Sequence, residues 1–167
     1  MAYPALYERE IKGLNKAKVD YVIIGAIALG LQGFPRSTSD LDIVPKLTRP
    51  NLRRAIDVLL KLDYRPRLPV DPYDVADAKI RAYWFKEKNL RAFTLFRGPV
   101  DEIDLVIYPH LTYAECKAHA REVLISKTKV HVASLRDLLT MKKAANRPKD
   151  LYDILAIEAL LRERQDG

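Results

Sequence analysis

The stretch GAIALGLQGFPRSTSDLDIV, residues Gly25 to Val44, decides which fold this chain is predicted to adopt. It follows the compact apolar run Val19–Ile24, which has the composition of a buried strand, and its first glycine ends that strand. Ala26–Gln32 is then predicted to form a short helix that stops at Gly33, and Ser39–Val44 alternates polar and apolar residues as a second strand does. This order predicts that the second strand pairs beside the first.

Two aspartates lie on one face of that second strand. Because successive side chains of a strand point to opposite faces, Asp40 and Asp42 share one face, about 7 Å apart, while Leu41 and Ile43 share the other. Unpaired carboxylates at this spacing repel each other, and both can reach one divalent cation. Mg²⁺ prefers oxygen ligands and keeps part of its shell for substrate phosphates. The pair therefore predicts a site for Mg²⁺ or Mn²⁺; the alternative is two solvated acids at a strand end.

A third acid is predicted on the strand that follows the Gly98-Pro99 turn. Asp104 lies inside the apolar run Ile103–Ile107, where an ionised side chain needs a partner, and Glu102 on the same strand face is the alternative. Three carboxylates on neighbouring strands could hold two metal ions, align an attacking oxygen with a phosphoryl group and neutralise a leaving pyrophosphate. This chemistry is phosphoryl or nucleotidyl transfer.

The glycine turn supplies a second element of such a site. Gly25 ends a strand and precedes a helix, so backbone N–H groups and the positive helix terminus can face a triphosphate. The Thr38 hydroxyl could also reach a phosphate, although Ser37, Thr38 and Ser39 are more often local turn formers.

The remainder of the chain predicts an α+β fold, a mixed sheet flanked by helices with a helical C-terminal region. Residues 1–133 are predicted to form the core, and residues 134–167 a helical extension packed on it as one unit. The further predicted helices are Pro4–Lys16, Pro50–Leu62, Thr112–His119, Ser134–Ala145 and a last one from Arg147, with Leu151, Ile154, Leu155, Ile157 and Leu160 on its buried face. The further predicted strands are Ile80–Phe85, Arg91–Phe96, Val100–Ile107, Ala120–Ile125 and Thr128–Val132.

Composition narrows the class of protein and of partner. The 167 residues carry a formal charge of +7, with 29 Lys and Arg against 22 Asp and Glu, which favours a nucleotide, RNA or an acidic protein as partner, or else simply a solvated basic surface. The single cysteine, Cys116, and the lack of a signal-peptide pattern or of a membrane-length apolar run predict a cytoplasmic protein without a membrane partner. The sparse Met and Cys and the high charge are typical of thermophilic proteins.

With these motifs the chain resembles the nucleotidyltransferase superfamily of the polymerase-beta type. The signature of that superfamily is an apolar residue, Gly, then Gly or Ser, a helix and Asp-x-Asp, and here it is Ile24-Gly25-Ala26 and Asp40-Leu41-Asp42-Ile43. Within the superfamily the chain is similar to minimal nucleotidyltransferases and abortive-infection nucleotidyltransferase toxins of prokaryotes. That likeness rests on Arg36-Ser37-Thr38-Ser39, Ile103-Asp104-Leu105, Leu135-Arg136-Asp137-Leu138, Met141-Lys142 and Arg147-Pro148-Lys149-Asp150-Leu151-Tyr152-Asp153.

The resemblance implies a role for each matching residue. It implies that Asp40 and Asp42 bind metal, and that Asp104 either binds metal or acts as base for the attacking hydroxyl. It also implies that Arg36 and Lys142 contact phosphates. The alternatives are a surface loop cation for Arg36 and an ordinary helix surface residue for Lys142.

The implied function is Mg²⁺-dependent transfer of NMP from an NTP to an acceptor hydroxyl on RNA, protein or a small molecule. A role in a toxin–antitoxin pair, with a small antitoxin or helical protein as partner, is implied as well. One departure matters: Gly25 is followed by Ala26, where relatives have Gly or Ser, so the nucleotide can meet only the backbone N–H there. The alternative function is therefore a catalytically inactive module of the same fold that binds a nucleotide or a protein.

Overall fold

The computed structural model describes residues 6–34, 36 and 38–166, and within them seven strands form one mixed sheet in the order β3-β4-β5-β2-β1-β7-β6. The strands are β1 (Tyr21–Ile24), β2 (Asp40–Pro45), β3 (Arg65–Pro66), β4 (Ala92–Arg97), β5 (Asp101–Val106), β6 (Arg121–Ile125) and β7 (Thr128–Val132). The helices are α1 (Glu8–Lys16), α2 (Gly25–Leu31), α3 (Arg49–Lys61), α4 (Ala78–Lys88), α5 (Tyr113–His119), α6 (Leu135–Ala145) and α7 (Leu151–Asp166). The predicted α+β class and mixed sheet are confirmed.

The centre of the sheet brings the two acidic strands together. As predicted, β2 pairs beside β1, and the pairing is antiparallel. On its other side β2 pairs with β5 in parallel, in a register that sets Asp42 opposite Asp104 and Asp40 opposite Glu102. The β4–β5 pair, joined through the predicted Gly98 turn, is antiparallel.

The alternation along these strands separates an apolar face from an acidic one. Leu41 and Ile43 of β2 and Ile103 and Leu105 of β5 are fully buried in the main core, to which α1 and α3 also contribute. The acids between them are only partly buried. Since burying apolar side chains supplies most of the stabilisation, this alternation determines which face of the sheet is left for polar chemistry.

One predicted strand is wrong: Ile80–Phe85 lies within the helix α4. The Asp77 side chain accepts hydrogen bonds from the backbone N–H groups of Lys79 and Ile80, which is an N-cap. Arg81 and Trp84, one helical turn apart, are the buried residues of α4, and the Trp84 indole stacks on Phe93 at 5.5 Å between ring centroids. Capping and a buried position every third residue favour helix over the β-propensity of the aromatic residues.

The last helix also differs from the prediction in the face that it buries. Ile157 is buried as predicted, but Leu151 and Leu155 are 59% and 56% exposed. The inward positions near the start of α7 are instead held by Asp150 and Asp153, whose carboxylates are ion-paired with basic residues. Because these ion-paired acids occupy the inward positions, the apolar residues of the first turns of α7 face outward.

Two sequence predictions lie outside the described residues: the start of the first helix at Pro4, and Ser37 as a turn former. Among residues 6–34, 36 and 38–166, none of the helices has both the length and the apolar character needed to cross a bilayer.

Candidate active site

At the turn after β1 the backbone lies directly against the side chain of one aspartate. Gly25 has φ +74°, in the left-handed region, and Ile24 pairs with Asp42 across the β1–β2 ladder. A Cβ atom added to Gly25 would lie 2.3 Å from Oδ2 of Asp42. Only glycine allows both this backbone conformation and this close approach. Ala26, the second residue of the seven-residue helix α2, is partly buried beside it.

Asp42 and Asp104 form the centre of the site. They are register partners on neighbouring parallel strands, so their carboxyl groups face each other across the β2–β5 pair. Burial first, and then the charge of Asp104, raises the pKa of Asp42 to about 7. Thr94, opposite Asp104 on β4, donates its hydroxyl hydrogen bond to Oδ1 of Asp104 and orients that side chain.

Asp40 lies one strand repeat away from this pair. Its Oδ1 accepts a hydrogen bond from the Ser39 hydroxyl at 3.1 Å, and its backbone N–H donates to Oγ1 of Thr38 at 3.2 Å. Burial, followed by the charges of Glu102 and Asp104, raises the pKa of Asp40. Glu102, the alternative third acid, is ion-paired with Arg67 at 2.7 Å between Oε1 and Nη2.

Lys142 reaches the site from α6 and is held by two buried acids. Its Nζ lies 3.3 Å from Oδ1 of Asp150 and 3.0 Å from Oδ2 of Asp153, and its side chain is only 14% exposed. Its positive charge offsets a small part of the rise in the pKa of Asp42 that burial and Asp104 cause. Although burial alone would raise the pKa of Asp150, the hydrogen bonds and charges of Arg147 and Lys142 lower it overall. Asp150 therefore stays ionised and keeps Lys142 in place.

Arg36 belongs to the same charged network. Its guanidinium is ion-paired with Asp153, the second acid that holds Lys142. The pairing ties the segment before β2 to the start of α7. Contact between Arg36 and a phosphate stays a prediction, as does contact between Lys142 and a phosphate.

A cleft of about 460 Å³ opens between the acidic face of the sheet and α6. Gly25, Asp42 and Asp104 line one wall and Lys142 lines the other, so the structure brings these four predicted residues together. The lining also includes two residues that the sequence analysis did not select, Arg91 and His110, together with Arg147 of the segment Arg147–Asp153. Burial, and then the charges of Arg91 and Arg147, lowers the pKa of His110.

The chemistry of the acids fits a divalent cation. The two facing carboxyl groups offer oxygen ligands to a hard ion, and a dication would offset the repulsion between them. Within the described part of the chain, however, no three His, Cys, Asp or Glu side chains are grouped as a ready-made metal centre. Asp40, on the same face of β2, is the acid that would have to turn toward the pair.

Comparison of the whole chain with solved structures identifies the type of fold. The chain aligns with a solution structure of the antibiotic-resistance factor ANT(2″)-Ia at a TM-score of 0.58 and 13% identity, covering 98% of this chain and 92% of the other. It aligns with a crystal structure of ANT(2″)-Ia in complex with adenylyl-2″-tobramycin at a TM-score of 0.57 and 12% identity, covering 99% of each. The fold is of the nucleotidyltransferase type.

At these identities, the likeness to nucleotidyltransferases is one of fold. The chain matches no protein-family model, and its sequence matches no curated protein. Residue roles in this nucleotidyltransferase fold therefore depend on the geometry of the chain itself.

The Lys142 network can be tested by stability. Replacing Lys142 with methionine is expected to lower the free energy of unfolding by about 2–3 kcal/mol, because Asp150 and Asp153 lose a cation while they remain buried. The control is Lys143→Met, because the exposed Lys143 pairs with Glu158 on the surface and should change stability by less than about 0.5 kcal/mol. Urea unfolding measures both, and equal losses would contradict the assignment.

Proposed function

We propose that this protein transfers a nucleoside monophosphate from a nucleoside triphosphate to a hydroxyl group of an acceptor. The observation that carries the proposal is the pair of facing carboxylates, Asp42 and Asp104, in a cleft that also presents Gly25 and Lys142. The pairing of two acids within a partly buried site is unfavourable for stability, and such arrangements concentrate at functional sites.

In the proposed reaction the acceptor oxygen attacks the α-phosphorus of the triphosphate. The bond between that phosphorus and the bridging oxygen breaks, and pyrophosphate leaves. In this proposal Asp104, held by Thr94, accepts the hydroxyl proton, while Lys142 and the backbone at Gly25 and Ala26 bind the phosphates; Gly25, Asp104 and Lys142 all line the cleft.

Asp40, Asp42 and Asp104 would hold the divalent cation, Mg²⁺ or Mn²⁺. When bound, the cation supplies positive charge that offsets the charge of the phosphates and of the carboxylates. The chain's own contribution is to orient these acids: Gly25 lets the backbone contact Asp42, and Thr94 fixes Asp104.

A small molecule is the acceptor that the structural neighbours favour. One of them was determined with adenylyl-2″-tobramycin, a small molecule that carries an adenylyl group, and the present chain aligns with it over 99% of both lengths. RNA and protein acceptors, a toxin–antitoxin role and a small helical partner remain predictions from the sequence resemblance.

The test is transfer of label from α-³²P-labelled ATP, GTP, CTP and UTP, with Mg²⁺ or Mn²⁺, to three acceptor classes: aminoglycosides, RNA and protein. The variant is Asp104→Asn, which is expected to lower the transfer rate about 100- to 10,000-fold. The matched control is Asp101→Asn on the same strand, because Asp101 pairs with Arg97 at 2.8 Å and does not line the cleft.

The outcomes separate the two functions that the sequence leaves open. Transfer by the wild type and by Asp101→Asn, but not by Asp104→Asn, supports the enzyme. Saturable nucleotide binding without transfer to any acceptor supports the inactive binding module, for which Ala26 is the sequence argument.

A further inference from the structure

A second cavity, of about 650 Å³, lies at the ends of β2 and β5 and is separate from the cleft. Pro45, Leu47 and Ile107 contribute apolar walls, and Pro109 is the one residue that lines both this cavity and the cleft among the described residues. Its volume is within the range of about 300–1,000 Å³ that small-molecule sites occupy. The nucleotidyl-transfer proposal assigns no role to it.

A buried arginine lines this cavity. Arg81, on α4, is only 6% exposed and donates hydrogen bonds to the carbonyl oxygens of Val75 at 2.8 Å and Leu47 at 3.3 Å. Within the described part of the chain no carboxylate lies within ion-pair distance of it. Asp77, one turn earlier on the chain, is engaged instead by Arg49 and by the N-terminus of α4.

Two carbonyl groups do not compensate a buried guanidinium. The group has five N–H donors, of which these contacts use two, and the nearest favourable acid, Asp77, lies beyond ion-pair distance. Burial accordingly lowers the pKa of Arg81. Placing a charge in such surroundings is unfavourable unless an anion accompanies it.

The other charged side chain of the described lining is also basic. Lys46 is the other ionised residue at the cavity, and the described lining residues include no Asp or Glu. This contrasts with the cleft, whose lining contains Asp42 and Asp104. The cavity therefore combines apolar walls with a buried positive charge that has no ion-pair partner among the described residues.

We propose that this cavity binds a small molecule that carries one carboxylate on an apolar body, with the carboxylate paired to Arg81. The planar fork of the guanidinium matches two carboxylate oxygens, and the apolar walls accept the remainder of the ligand. The site goes beyond nucleotidyl transfer and does not depend on it.

Isothermal titration calorimetry with sodium octanoate tests the site. Octanol and octylammonium are the comparison probes, because they have the same chain length and a different charge. The wild type is expected to bind one octanoate saturably, octanol about 10- to 100-fold more weakly, and octylammonium not measurably, since a charged hydrogen bond is worth about 1.5–3 kcal/mol. Arg81→Met should weaken octanoate binding by the same factor.

A second variant keeps the test decisive if Arg81→Met does not fold. Ala114→Phe places a large side chain in the cavity from its exposed wall and should abolish octanoate binding, while Ala118→Phe on the same helix, outside the lining, should not. Equal affinity for octanoate and octanol, undiminished binding by Ala114→Phe, or no saturable binding would overturn the proposal. Loss of octanoate binding in Leu155→Gln would also overturn the proposal, because that variant changes the exposed apolar surface of α7 and not the cavity.

Discussion

Asparagine in place of Asp42 is expected to abolish nucleotidyl transfer and, at the same time, to stabilise the fold at neutral pH. The wild-type carboxyl group is buried against Asp104, and its pKa is raised to about 7 from an ordinary value of 3.8. Above pH 7 the Asp42 carboxyl is ionised in the folded state, although burial and the charge of Asp104 disfavour its ionised form. An asparagine amide keeps the shape of the side chain and removes one of the two charges.

The sign of the pH dependence follows from proton binding. Between about pH 4 and pH 7 the folded protein holds a proton at Asp42 that the unfolded chain has released, so wild-type stability falls as pH rises through this window. The difference of about three between the pKa of Asp42 in the folded protein and its ordinary value corresponds to about 4 kcal/mol of stability as an upper bound. The Asp42→Asn protein should lack this decline and should be about 2–4 kcal/mol more stable than the wild type at pH 8.

Urea unfolding between pH 4 and pH 8, in the presence of a chelator, measures this difference, and the nucleotide assay measures transfer. Asp101→Asn serves as control, because its acid is ion-paired with Arg97 and its loss should not raise stability. A variant that loses activity and also loses stability at pH 8 would show that Asp42 is a structural partner and not a repelled site residue.

Alanine in place of Gly25 is expected to reduce transfer about 100-fold or more and to destabilise the fold by about 2–4 kcal/mol. The residue has φ +74°, a conformation that costs an L-residue about 1–2 kcal/mol. The new Cβ would lie 2.3 Å from Oδ2 of Asp42, so the carboxylate or the turn must move. A displacement of about 1 Å at a reacting centre can cost about 100-fold in rate.

Gly98→Ala separates the two causes. Gly98 has φ +63°, but a Cβ atom there would meet no heavy atom within 4 Å, so the variant carries the conformational cost without the clash. We expect it to lose about 1–2 kcal/mol of stability and no catalytic rate. Denaturant unfolding and initial transfer rates measure both variants, and similar activity in the two would contradict the role of Gly25 in placing Asp42.

Some features of the candidate site could be predicted from the local sequence, because they depend on residues only a few positions apart along the chain. The alternation around Asp40 and Asp42 places both on one face, and the apolar neighbours of Asp104 mark it as an acid in need of a partner. Helix caps act over an equally short range: Thr112 and Glu115 form a capping box at the start of the predicted helix Thr112–His119, and Ser134 caps α6. Each of these features lies within a few residues along the chain.

Other features were decided by contacts between distant segments. Arg91 and His110 reach the cleft because the start of β4 lies beside the end of β5 in their antiparallel pair. The placement of Lys142 and Arg36 depends on Asp150 and Asp153, which lie on a different element. A basic residue alone on a helix or in a loop gives no sign of the acid that will hold it.

By itself, the sequence determined the strand, turn, helix and strand unit around Gly25 and the shared face of Asp40 and Asp42, since backbone periodicity and glycine's freedom act locally. The tertiary structure alone decided that Asp42 and Asp104 face each other across the β2–β5 pair, that 80–85 is helical, and that the first apolar residues of α7 point to solvent. These outcomes depend on burial and on long-range pairing of charges, whose energies exist only once the segments have been brought together.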